Sequence, residues 1–180
     1  MNNMISPIRS NVIRAVLFAV LTAPAVGIAS DFPGYKMAVI SDESQGRAIL
    51  SGDYDTAISE MTNKALRFSG RFATSNNLCV AYAKTKDLQK AIQACDAAVS
   101  NVTSQVSKSR LMANNKHPAM RRDLAIALSN RAVLFAIQGD LEMAQAGFKE
   151  AIKLGIHINE PEFNLSILEG LSTNKMASTI

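Results

Sequence analysis

Beyond residue 41 the apolar and polar positions follow helical rather than strand spacing. Cut at its Gly, Asp, Asn and Pro residues, the pattern predicts helices over roughly 42–51, 54–69, 72–85, 88–110, 118–138, 141–154 and 160–171. The last has a sound start, with Asn159 at the cap and Pro161 just inside the first turn. Residues 30–41, with Pro33 and Gly34, read as an extended lead-in, and residues 172–180 as a loose tail. The first 29 residues have another pattern. Arg9 and Arg14 precede an apolar run, AVLFAVLTA from Ala15 to Ala23, which resumes after Pro24 with Ala25 and Val26. Gly27-Ile28-Ala29 supplies a small-x-small cleavage site. A run of about twelve residues is too short for a bilayer, which needs roughly 20. Residues 1–29 therefore read as a secretory signal peptide, with an uncleaved N-terminal membrane anchor as the alternative, and the chain as exported, periplasmic or secreted, beginning near Ser30 if the leader is cut.

Composition agrees with helices. Of the 180 residues 48% are hydrophobic, only 6% aromatic, and none is Trp. Ala, Leu, Ile and Met carry most of the apolar content and favour helices as a group, while nine Gly and five Pro are few for a turn-rich all-β chain. The net charge of +4 loses two units with Arg9 and Arg14, since residues 1–30 hold no acid. A balance of 17 basic against 15 acidic side chains is no nucleic-acid signature, and no nucleic-acid partner is expected.

An internal repeat sharpens the picture. Gly52-Asp53-Tyr54-Asp55-Thr56-Ala57-Ile58 aligns with Lys86-Asp87-Leu88-Gln89-Lys90-Ala91-Ile92 and with Gly139-Asp140-Leu141-Glu142-Met143-Ala144-Gln145. Asp53 and Asp87 lie 34 residues apart, and Asp87 and Asp140 lie 53 apart, one 34-residue period plus 19. Gly suits the left-handed end of one helix and Asp the cap of the next, so each pair marks a helix–turn–helix; at Lys86 a non-glycine takes that position and strain is expected. Ala91, Ala98, Ala144 and Ala151 let paired helices approach closely, and Tyr82, Phe135 and Phe148 fill the space between.

With these residues in this period the chain resembles the tetratricopeptide-repeat (TPR) family. Leu78, Tyr82, Asp87, Ala91 and Ala98 match its pattern in one unit, and Ala132, Phe135, Gly139-Asp140, Ala144, Phe148 and Ala151 in the next. A first unit keeps Gly52-Asp53, Ala57 and Met61; the family Trp and the terminal Pro of each repeat are missing. The resemblance implies an all-α, right-handed superhelical stack of about three units over residues 42–171 (42–69, 72–110 and 118–154), closed by a capping helix at 160–171. It also implies a concave groove lined by the first helix of each unit. Asn77 and Asn130, 53 residues apart, would face that groove and bond a ligand main chain, or serve as intrahelical bonds or caps. Val80, Lys84, Ile126, Val133 and Ile137 would surround them in a mostly apolar surface. Cys79 and Cys95 both point into a helix–helix seam in the family pattern, and a disulfide or two buried thiols fit equally.

The 19 extra residues fall within 99–122, where two helices outrun the stack as a projecting hairpin. Residues 97–122 contain no acid and carry Lys108, Arg110, Lys116, Arg121 and Arg122, a basic prong or simply a solvated face. His117 and His157 sit in no catalytic motif, and no phosphate loop, zinc spacing or nucleophile motif is present. The expectation is a non-catalytic interaction module or adaptor outside the cytoplasm. It needs no cofactor or metal and takes a partner peptide or helix in its groove. The alternative is an anionic polymer or lipid surface, such as an envelope component, bound by the hairpin at 99–122. Self-association into a homo-oligomer through the exposed ends of a short stack is a third outcome.

Overall fold

A computed structural model describes residues 34–41, 44–68, 72–108 and 117–177, all within one compact unit, Asp31–Ile180. The proposed leader at residues 1–29 and the tip of the basic hairpin lie outside the described residues. Among the described residues the chain is all-helical, with seven helices and no strand: α1 (Ser44–Leu50), α2 (Tyr54–Phe68), α3 (Phe72–Lys84), α4 (Leu88–Lys108), α5 (Pro118–Gln138), α6 (Leu141–Lys153) and α7 (Glu160–Ala177). The last runs beyond the expected end at residue 171. Nothing between Ser172 and Ala177 is Gly or Pro, and Lys175, Met176 and Ala177 are good helix formers.

Three turns share one construction. Gly52 (φ 85°), Lys86 (φ 64°) and Gly139 (φ 85°) are left-handed. Each N–H donates to a carbonyl in the last turn of the helix before it: Gly52 to Ile49, Lys86 to Ala83, Gly139 to Ala136. The following aspartates donate further back, Asp53 to Ala48, Asp87 to Tyr82 and Asp140 to Phe135, completing a Schellman closure. The same three side chains then cap the next helix, accepting from the N–H groups of Thr56 at 3.3 Å, Lys90 at 3.2 Å and Met143 at 3.1 Å. Lys86 adopts the left-handed turn despite its Cβ.

Each turn folds two helices together, giving the pairs α1–α2, α3–α4 and α5–α6, with α7 against α6. The first helices also meet one another: α1 touches α3, α3 touches α5, and α5 touches α7. Small side chains make the seams. Cys79, Ala83, Ala91 and Cys95 are buried between α3 and α4, and Ala132, Ala144 and Phe148 between α5 and α6. Cys79 and Cys95 are joined by a disulfide, their Cα atoms 4.9 Å apart, inside the usual range for a bridge. Phe72, Ala98, Val102, Ile126 and Ala127 form the core where α3, α4 and α5 meet.

Candidate functional site

The row of first helices, α3, α5 and α7, carries a column of buried asparagines: Asn76 and Asn77, Asn130, and Asn164, each at most 2% exposed. A buried carboxamide without partners costs on the order of 1–3 kcal/mol, so these groups must be matched. Their match is the chain's own lead-in. Residues 35–40 cross the three helices as an extended strap, and the asparagines grip every second residue of it. Asn164 accepts from the Lys36 N–H at 2.8 Å and donates to the Lys36 carbonyl at 2.7 Å. Asn130 does the same to Ala38, at 2.8 and 2.9 Å. Asn77 does so to Ile40, at 2.9 Å both ways. Asn76 donates a further bond to the Ala38 carbonyl at 3.0 Å and accepts one from Asn130 at 2.9 Å, locking the middle of the ladder.

The chemistry follows from the carboxamide, which sets an acceptor oxygen beside a donor NH2 group whose second N–H lets Asn130 also reach Asn76. The N–H and C=O of a single residue in an extended chain point the same way, so one Asn satisfies both. Such a ladder reads main chain and is blind to side chains, except that proline cannot stand at its rungs. Specificity comes from the flanks. Tyr35 stacks on Phe148 with ring centroids 6.3 Å apart, and burial raises the pKa of its phenol. Met37 and Val39 pack with Ile49, Val80 and Leu134, while Ala38 and Ile40 turn the other way toward Phe72, Ile126 and Val102. Lys36 reaches out, its ammonium 4.0 Å from the Phe163 ring. The strap ends against Gly46, where any Cβ would overlap the Ile40 carbonyl.

The expected groove residues are therefore here, but in contact with the chain itself. Asn77 and Asn130 hold main chain, but it is the chain's own at Ile40 and Ala38, where the resemblance implied a ligand's. Val80, Ile126 and Val133 are buried and Ile137 half-buried, covered rather than free, and only Lys84 stands exposed. The roles of Asn76 and Asn164, and the docking of the extended lead-in as a strap, were not foreseen. Two clefts flank the strap. One, of about 340 Å³, is lined among others by Ile49, Leu50, Tyr54, Val80 and Lys84. The other, of about 260 Å³, lies by Arg122, Ile126 and Ile158.

The basic prong divides. Lys108 closes α4, and Arg110 and Lys116 lie outside the described residues. Arg121 is committed to the fold, its guanidinium donating to the Leu154 carbonyl at the end of α6. Arg122 is exposed beside the second cleft. Its charge partly offsets the burial that raises the Asp123 pKa. His117 and His157 are exposed, and the His117 side chain makes no capping bond to α5. Among the described residues no group of three or more His, Cys, Asp or Glu side chains could hold a metal ion, and no helix is long and apolar enough to cross a membrane. No protein-family model matches the chain, and no curated protein or solved structure matches it.

Proposed function

We propose that this protein is an exported, non-catalytic interaction module of the TPR type, whose groove receives an extended segment of a partner protein. The observation that carries the reading is the asparagine ladder, a device for holding extended main chain. The TPR assignment, with a right-handed superhelical course, draws support from three matching turns at repeat positions and from first helices that touch first helices. Export, to a periplasm or beyond the cell, draws support from the leader pattern and from a buried disulfide, which persists in an oxidising compartment. The anionic-surface alternative loses Arg121, whose charge is spent on a helix end.

A pull-down from native extract tests the reading, with the full chain as bait at low and high salt. Beside it run Leu50→Asp, which alters the exposed wall of the groove, and a variant with Lys108, Arg110, Lys116 and Arg122 changed to Gln. A defined protein that survives high salt and the Gln variant, and is lost with Leu50→Asp, is the expected result. A catch lost with salt and with the Gln variant moves the function to an anionic ligand, because exposed charge pairs are screened within roughly 10 Å at 0.1 M salt. Recovery of nothing but the chain itself makes it a homo-oligomer.

A further inference from the structure

The asparagines use only one edge of the strap. Main-chain groups alternate in direction along an extended chain, so when those of Lys36, Ala38 and Ile40 face the ladder, those of Met37 and Val39 face the opposite way. Among the described residues, nothing bonds to the main-chain N–H or C=O of Met37 or Val39. Both clefts lie over this edge, since Met37, Val39, Leu50 and Glu160 line each of them. Among the described residues the space above the strap is thus open between the last residue of α1 and the first residue of α7. Leu50, 65% exposed, presents a large apolar side chain to it.

An unpaired strand edge with open space above it and an apolar wall beside it is a template for another strand. We propose that the outer edge of the strap is a strand-addition site, on which an extended segment of a partner protein pairs with Met37 and Val39. This rests on the reading of the groove as a receptor for extended polypeptide, and says where in the groove the partner lies. The partner segment has no proline at the two residues that pair with Met37 and Val39. It sets apolar side chains against Leu50 and Tyr54, and it is neutral to acidic, since Lys36, Lys84 and Arg122 outnumber Glu160 around the clefts.

Addition is favoured over replacement. The strap joins α1 through residues 41–43 alone, so it competes for its own ladder at an effective concentration on the order of millimolar or above. A displacing peptide with the same contacts would need to exceed that level, whereas a segment that adds to the free edge displaces only water.

The test is a library of random nine-residue peptides displayed on phage, selected against the full chain. Synthetic copies of the winners are then titrated against variants. Val39→Pro removes the outward N–H and leaves every Asn-bonded group in place, and an extended residue precedes it as proline requires. Val39→Ala keeps that N–H and controls for the lost side chain. The proposal expects binding to fall about tenfold or more with Val39→Pro, the loss of one well-placed hydrogen bond, and to change less than about threefold with Val39→Ala. Amide exchange at Met37 and Val39 in the unmodified chain, slowed by saturating peptide, detects the same pairing without any substitution. Peptides indifferent to Val39→Pro that bind more tightly when Ala38→Pro or Asn130→Ala loosens the strap would overturn strand addition and leave a groove that binds by displacement. A library that yields no binder, or only binders indifferent to Leu50→Asp and to all of these variants, overturns both readings.

Discussion

Replacing Asn130 by Ala tests the ladder at its centre. The side chain makes three hydrogen bonds, two to Ala38 and one to Asn76. At about 0.5–1.5 kcal/mol each, their removal costs roughly 2–4 kcal/mol. The upper part of that range applies, because the substitution also strands the Ala38 N–H inside the groove. The Ala38 carbonyl keeps Asn76, 3.0 Å away, so it is not orphaned. Asn164 and Asn77 each make two bonds to the strap, and Ala at either costs less, about 1–3 kcal/mol. Asn63, exposed on α2 with one bond to Ser59 at 3.4 Å, is the control and changes stability by less than about 0.5 kcal/mol. Urea denaturation followed by far-UV circular dichroism reads the cost as a lower midpoint at unchanged slope. Amide exchange at Ala38 accelerates in parallel. The double variant Asn130→Ala, Asn77→Ala carries further information. Once the rungs removed are worth more than docking the strap, the strap leaves and further removal costs nothing, so the plateau measures the docking free energy. An Asn130→Ala protein as stable as the Asn63→Ala control, with Ala38 exchange unchanged, would refute the claim that the ladder holds the strap.

Three other outcomes are expected. Lys86→Gly relieves the left-handed backbone of the second turn (φ 64°) and raises stability by up to about 1 kcal/mol, read by thermal melting; a loss instead would mean that contacts of the Lys86 stem outweigh the strain. Reduction of the Cys79–Cys95 bridge, which spans 16 residues, lowers the unfolding free energy by about 3 kcal/mol, and denaturant curves with and without reductant that superimpose would contradict it. Asp123→Asn changes stability with pH. Desolvation raises the folded-state pKa of Asp123 above its ordinary value of 3.8, so the native state holds this proton more tightly than the unfolded state. Wild-type stability therefore declines as pH rises through 3.8 and the folded pKa. The Asn variant is free of that decline and gains on the wild type only above this window. Superimposed pH profiles of the two proteins rule the assignment out.

The helices and turns were legible because their causes are local. An Ala-rich seam and a Gly-Asp turn act within one hairpin, and even the strained Lys86 could be named from its place in the repeat. The disulfide stayed open in sequence because the mutual facing of Cys79 and Cys95 depends on how α3 lies against α4. The lead-in was legible as extended, but its docking as a strap was not, for a different reason. A ladder that bonds N–H and C=O imposes no side-chain code on its ligand beyond the absence of proline, so residues 35–40 carried no mark of their partner. The receptor did carry one: Asn164 lies 34 residues after Asn130, the repeat period itself, which puts α7 in register with α3 and α5 as a further first helix.

That register also explains why the strap sits where it does. Each step from α7 to α5 to α3 advances the bonded residue by two, from Lys36 to Ala38 to Ile40. Two residues of extended chain span roughly 6.6 Å, somewhat less than the 8–10 Å between packed helix axes. The small side chains of the stack and the reach of each carboxamide close that gap. A slip of one residue along the ladder is excluded, because it would turn the opposite main-chain edge to the asparagines. A slip of two keeps the rungs but lifts Tyr35 from Phe148 and sets a lysine or an isoleucine at the middle rung, where Ala38 now lies under both Asn76 and Asn130. The ladder thus fixes which edge of the strap faces inward, while Tyr35 and Ala38 fix which residues do.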